Sequence, residues 1–353
     1  SHFLLGCATI EHDELTRKGD LFVPKKMLEN QHKELNIKSQ VAESPVGMGT
    51  AHGKVILMGE HAVVYDYPAI ALPVPAVAIR VRVTPTQHQA DYLSCRYYKG
   101  PLADAPQELQ NVQAAISLAQ EHCAPKEQAS AIHIRIDSDI PQERGMGSSA
   151  AVAVALVRAL ADYYGVSLTQ EVLHYMVNKA EVLAHGAPSG LDTLMTSTTQ
   201  PALYRKGLTP QAFQMNLGGY LVIADSGQAG QTKLAVAQVA QLAQDRPDQV
   251  MKTMAAIGEC TIQAQQAIRQ GDLVALGRLM TYNHYYLNQL KVSTPELDNI
   301  VKSAWLAGAL GAKLTGGGLG GCVIALASHA QQAEAISQAM RQAGAGHTWT
   351  MAI

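Results

Sequence analysis

The sequence predicts a two-domain globular protein in which strands and helices are mixed, and three observations carry that expectation. Its 353 residues are 47% hydrophobic and 16% charged, enough to bury one large core or two ordinary ones, and two is the better division. Residues 131–136 alternate with period two, and a glycine-rich turn then leads into an apolar helix from Ala150 to about Tyr164, with Gly165 as its C-terminal cap. A second clean strand over residues 220–225 opens a stretch dominated by long helical patterns.

Bulk properties narrow the function. A formal charge of −2 gives no electrostatic reason to expect a nucleic-acid or anionic-membrane partner. The most apolar run, residues 150–157, meets Arg158 long before the roughly 20 residues that span a bilayer, so it reads as a buried helix. Five widely spaced cysteines form no Cys-x-x-Cys pair, which argues against a disulfide framework or a zinc knuckle and fits a reducing cytoplasm.

Taken in order, residues 1–45 carry 13 charged side chains, about twice the density of the rest. They read as a separate leader, either a tag or extended start or a regulatory extension, with at most one weakly amphipathic helix over residues 25–40 and no apolar signal core. The body opens with Gly53-Lys54-Val55-Ile56-Leu57-Met58-Gly59-Glu60-His61, an apolar strand flanked by charged groups that want partners. Residues 77–83 read as a second strand, 92–98 as a third ended by Gly100-Pro101, and 111–122 as a helix.

The turn Gly145-Met146-Gly147-Ser148-Ser149-Ala150 is the centre of the pattern. Its glycines allow close approach, and the free amides of the following helix carry about half a positive charge, which suits a phosphate. The same serines could equally be ordinary N-caps. The loop lacks the Lys-Ser/Thr of a Walker loop and the second half of a dinucleotide fingerprint. A helix over about 168–184 then brings Glu181 and, past a Pro188-Ser189-Gly190 turn, Asp192; the pair could meet a metal-nucleotide, or Glu181 could be solvated and Asp192 could cap residues 193–197. Beyond a boundary near Phe213, residues 226–233 turn into a helix over 234–244, followed by helices over 250–270, 273–290 and 296–307. Five glycines among Gly316 to Gly321, before a strand, demand close backbone packing or ligand approach.

Three stretches, Lys54 to Leu72, Pro141 to Ala151 and Lys313 to Leu326, together resemble the three signature motifs of the GHMP kinases. Gly59-Glu60-His61-Ala62-Val63-Val64-Tyr65 is similar to the mevalonate kinase branch, and His185-Gly186-x-Pro188-Ser189-Gly190-Leu191-Asp192 with Tyr97-Tyr98-x-Gly100-Pro101-Leu102 to its bacterial members. The resemblance implies a two-domain α+β fold, a ribosomal-S5-like, ATP-binding domain over residues 46–213 and a ferredoxin-like domain over 214–353, with the active site between them. It implies transfer of the γ-phosphoryl of ATP, with Mg2+, to the C5 hydroxyl of mevalonate by a cytoplasmic enzyme, here expected to be a homodimer with no nucleic-acid or membrane partner. By motif position, Asp192 matches the general base and Lys54 its lysine partner. Ser149 and Glu181 match the metal ligands. Ser138, Arg144, Gly145, Met146, Gly147, Ser148, Ser149 and Ala150 match the nucleotide site, and Glu60, His61 and Thr232 lie where relatives approach substrate and phosphate. His52, Asp66 and Ala187 depart from the family pattern. The alternatives are a phosphomevalonate kinase, for which Arg205 and Lys206 are the nearby cations, a mevalonate 3-kinase, and a non-catalytic sensor that should have lost Asp192, Lys54 or Glu181.

Overall fold

The computed structural model describes residues 45–125, 130–185 and 190–353. The leader with its expected helix, and residues 186–189 of the turn before Asp192, lie outside them.

The first sheet is built on the long hairpin of β1 (Gly47–Met58) and β2 (Ala69–Pro85). The hairpin is antiparallel, with register shifts at His52/Gly53 and Ile56/Met58. β2 is longer than the strand expected over 77–83: it begins at Ala69 and runs through Pro73 and Pro75. It can do so because the pairing jumps from Val74 opposite Gly53 to Ala78 opposite His52, and an irregularity is where a strand tolerates proline.

The expected third strand proves to be a hairpin, β3 (Tyr92–Cys95) and β4 (Tyr98–Pro101), with Gly100-Pro101 inside it and not after it. β5 (Ile132–Ser138) lies between β3 and β2, while β6 (Ala202–Tyr204) and β7 (Gln211–Ala212) extend the other edge.

Helices α1 (Gln110–Cys123), α2 (Ser148–Tyr163), α3 (Gln170–His185) and α4 (Leu191–Ser197) accompany this sheet. α2 lies on β1 and β2 and is flanked by the other three. The contact of α2 with β1 is backbone-close: a Cβ on Gly49 would stand 2.1 Å from the Ala155 carbonyl, and one on Gly47 2.2 Å from that of Ala159. The glycines of β1 and the alanines of α2 are therefore one packing solution.

The second sheet contains β8 (Tyr220–Asp225), β9 (Gly311–Thr315), β10 (Cys322–Ala327) and β11 (His347–Ala352), in the order β11-β8-β10-β9. Numbered within the lobe this is 4-1-3-2, the antiparallel ferredoxin-like arrangement. Between β8 and β9 run α5 (Thr232–Asp245), α6 (Pro247–Gln270), α7 (Leu273–Gln289) and α8 (Pro295–Leu306), and α9 (Ala330–Gln342) connects β10 to β11. One apolar core joins this sheet to its helices and takes in Ala62, Tyr65 and Tyr67 from the segment after β1. The four described cysteines are free.

Candidate active site

The glycine turn resolves the choice between a capped helix and an open one. The N-cap of α2 is Gly147, in the left-handed region at φ 71°, and no side chain caps the helix. Ser148 and Ser149 lie inside the first turn, so the amides there face outward from an uncapped, positive helix end. The Ser149 hydroxyl donates to Glu181 Oε1 at 2.5 Å and accepts from Asn111 Nδ2 at 2.8 Å, which joins α1, α2 and α3 at one point. Glu181 is buried, so it is not a solvated helix residue.

A cavity of about 530 Å³ opens at this helix end, lined among others by Cys95, Tyr97, Asn111, Ser138, Ser148 and Ser149. Met146 and Ala150 are buried, and the Met146 carbonyl accepts the Lys54 amide at 3.0 Å. Arg144 turns its guanidinium to the second sheet, donating from Nε to Asp225 at 2.7 Å and from Nη2 to the Gly227 carbonyl at 3.0 Å.

Lys54 and Asp192 come from distant segments and meet with Nζ 2.9 Å from Oδ1. The strand supplies Lys54 as a buried residue whose stem passes Gly147, where a Cβ would be 3.1 Å from Lys54 Cγ. Asp192 sits in the first turn of α4, whose N-cap is Gly190 at φ 75°, so it does not cap that helix. Its side chain is 46% exposed. The pair therefore has a buried cation behind and an accessible carboxylate in front, the arrangement a reacting hydroxyl requires.

At the end of β1 the chain turns through Glu60 and His61, both buried. His61 adopts φ 60°, and its Nε2 donates to the Gly317 carbonyl at 2.8 Å, while burial pushes its pKa below the ordinary histidine value. Glu60 forms a buried ion pair with Lys313 on β9. The five glycines between β9 and β10 explain themselves by what a Cβ would strike. Gly317 would meet Thr232 Oγ1 at 2.6 Å, Gly318 the Val292 carbonyl at 2.1 Å, and Gly320 the Ala229 carbonyl at 2.3 Å. Gly316 and Gly321 pack on Gly145 and Arg144 of the first glycine turn.

The structure thus brings together Lys54, Asp192, Ser149, Glu181 and the glycine turn, while His61, just after β1, and Thr232, at the start of α5, both lie against Gly317 of the loop between β9 and β10. Ser138 stands at the cavity wall, its hydroxyl engaged with the Ile140 backbone. Arg205 and Lys206 are exposed, and Arg205 donates to the Asp66 carbonyl at 2.7 Å. Asn111 was not singled out from the sequence, because an asparagine in the first turn of an ordinary amphipathic helix carries no signal until that helix is packed beside Ser149.

The N-terminal domain model of the GHMP kinases matches residues 110–199, and their C-terminal model matches 264–346. The mevalonate kinase of Pyrococcus furiosus is 35% identical over 317 residues, covering 84% of this chain and 93% of that protein. The chain belongs to the GHMP kinase family. Among solved structures of GHMP kinases, L. major mevalonate kinase in complex with R-mevalonate superposes with a TM-score of 0.76 at 29% identity, covering 90% of this chain and 99% of that one. The mevalonate kinase of methicillin-resistant Staphylococcus aureus does so with a TM-score of 0.70 at 32% identity, over 87% and 99%. The GHMP fold accounts for the two sheets and for the meeting of the three glycine-bearing segments where they face each other.

Proposed function

We propose that this protein is a mevalonate kinase, which transfers the γ-phosphoryl of ATP to the C5 hydroxyl of mevalonate. The observation that carries the reading is the Lys54–Asp192 pair beside an uncapped helix end, in a chain whose relatives at this identity are mevalonate kinases. ATP phosphates lie against the amides of Gly145 to Ala150, where the helix end and the close-packed glycines admit an anion without a side chain in the way. Asp192 accepts the proton of the C5 hydroxyl as its oxygen bonds to the γ-phosphorus and the bond to the ADP oxygen breaks. Lys54 stabilises the developing alkoxide and aims the carboxylate. Because phosphoryl transfer passes through a loose transition state, alignment contributes as much as the base.

Among the described residues no group of three or more His, Cys, Asp or Glu gathers to hold a metal. Ser149 and Glu181 nonetheless fit Mg2+, which takes one or two protein oxygens and completes its shell with phosphate and water. The Ser149 hydroxyl and the Glu181 carboxylate would hold it, and it would supply neutralisation of the phosphate charge.

Relatives at 33–35% identity that are mevalonate kinases favour mevalonate over phosphomevalonate as the acceptor. We further assign the ATP-binding domain to residues 46–213 and the second domain to 214–353, and the chain to the bacterial branch. That branch rests on the residue 97–102 and 185–192 motifs and on the 32% identity to the S. aureus enzyme, beside archaeal relatives at 33–35%. A cytoplasmic homodimer completes the reading; no helix among the described residues is long and apolar enough to cross a membrane.

Proton-coupled 31P NMR of the product from ATP and mevalonate tests the reaction. A phosphate on the primary C5 carbon splits into a triplet. A singlet, from the tertiary C3 oxygen, would reassign the chain as a 3-kinase.

A further inference from the structure

The apolar run of α2 is interrupted by a single cation, Arg158, whose guanidinium reaches both elements that carry the reacting pair. Nη1 donates to the Thr50 carbonyl of β1 at 2.7 Å, and Nη2 to the Ser197 carbonyl of α4 at 2.8 Å. Lys54 follows Thr50 on the same strand, and Asp192 precedes Ser197 on the same helix. Since Lys54 Nζ lies 2.9 Å from Asp192 Oδ1, β1 and α4 are joined both by that pair and by Arg158.

An arginine at a helix end has an ordinary duty, because the last carbonyls of α4 lack intrahelical partners and a cation is favourable there. A cap needs only one donor, which a lysine would supply. The planar fork of arginine fixes two acceptors at once in a set geometry, here one on each element. Burial holds the Arg158 pKa below the ordinary arginine value, so the fork is kept where water is scarce and its hydrogen bonds are stronger. With seven residues, α4 is too short to be stable as a helix by itself and depends on what holds it. Thr193 donates to Asn178 Oδ1 at 2.6 Å, and Ser197 Oγ lies 2.8 Å from His174 Nε2. Both partners belong to α3, so these contacts fix α4 against α3 and not against β1. β1 in turn carries its register shift at His52/Gly53, between Thr50 and Lys54, where its ladder to β2 is irregular. We propose that Arg158 is a positioning residue, whose guanidinium locks α4 to β1 and so sets the separation of Asp192 from Lys54.

This inference rests on the kinase reading, and its test separates the two. Wild type, Arg158→Met, Asp192→Asn and the double variant are compared by thermal melting, by the KM of ATP, and by kcat with mevalonate at enzyme concentrations that resolve the residual rates. Arg158→Met keeps the stem and removes both donors. Its kcat falls at least about tenfold, with the KM of ATP within about twofold, because misplacement of a reacting group by about 1 Å costs on the order of 10²-fold. In the Asp192→Asn background the same substitution costs less than about threefold, since the carboxylate that Arg158 places is already gone. General loosening of the fold would lower kcat by the same factor in both backgrounds. A smaller loss in the first background, a larger one in the second, or a KM of ATP that moves further makes Arg158 structural only and overturns the proposal. Should Arg158→Met not fold, Arg158→Lys, which keeps the charge and reaches one carbonyl at a time, is read by the same criteria, and a chain that folds with neither overturns the proposal as well. If wild type leaves mevalonate unphosphorylated, the functional reading fails, and the four proteins are compared on the acceptor it does turn over.

Discussion

Replacing Asp192 by Asn keeps the size of the side chain and a hydrogen-bond acceptor for Lys54, and it removes a charge and a proton acceptor. The structure separates what this costs the fold from what it costs the reaction. Asp192 is 46% exposed, so solvent screens its attraction to Lys54, and the pair contributes on the order of 1 kcal/mol or less to stability. For a chain of this size that moves the melting temperature by about 2 °C. Loss of a positioned base costs about 10²–10⁴ in rate, which is about 3–5 kcal/mol of transition-state stabilisation. Lys54→Met should also lower kcat while leaving the stem beside Gly147 in place, and the double variant should be little worse than the poorer single one, because groups acting as a unit are not additive. Steady-state kinetics on the four proteins, with ATP affinity measured separately by calorimetry, provides the assay. Additive losses, or an Asp192→Asn enzyme within about tenfold of wild type, would refute the reasoning and leave the ion pair as a structural contact between β1 and α4.

Three further outcomes are expected. Ser149→Ala and Glu181→Gln should raise the magnesium and ATP concentrations needed for half-maximal rate without unfolding the protein, and Asn111→Ala should do the same more weakly; unchanged magnesium dependence in the first two would remove the metal assignment. His284 is buried with its pKa lowered to about 4, desolvation outweighing Asp298 at 3.2 Å, with the Lys313 charge adding to the lowering. Above the unfolded value near 6.5 both states are neutral there. Below it only the unfolded chain takes up the proton, so stability falls as pH drops from about 6.5 to 4, by up to about 3 kcal/mol. Urea melts across that range should show this slope, and His284→Gln should flatten it. Gly49→Val places atoms against the Ala155 carbonyl, and a loss of at least about 3 kcal/mol, or no soluble protein, is expected in a denaturant titration.

How far the sequence could be read depended on whether a signal was local. β8 occupies the residues its alternation predicts, and α2 begins two residues earlier than expected, because Gly147 and not a serine turns the chain into the helix. The hairpin at residues 92–101 read as one strand, since aromatic and cysteine residues continue through the turn with no glycine at Arg96-Tyr97 to mark it. The strand expected over 77–83 begins at Ala69, and the prolines it takes in are absorbed by a shift in pairing that only the partner strand reveals. In the site, Lys54 flanked an apolar strand and Glu181 and Asp192 bracketed a turn, and it was the motif resemblance that gave them roles. Lys313 stood in a recognised stretch without a role, because what decides it is Glu60, far away in the chain and brought close by the packing of one lobe on the other. Asn111 was silent for the same reason.

The acceptor decides which reaction this protein catalyses. A coupled assay of ADP release, run with mevalonate, phosphomevalonate, galactose and homoserine in parallel at saturating ATP and magnesium, measures it directly. The geometry of Lys54, Asp192 and the glycine turn, in a chain 35% identical to a mevalonate kinase, predicts turnover with mevalonate and background rates with the other three. Turnover with phosphomevalonate or a sugar in preference to mevalonate, or no turnover with any of the four, would contradict it.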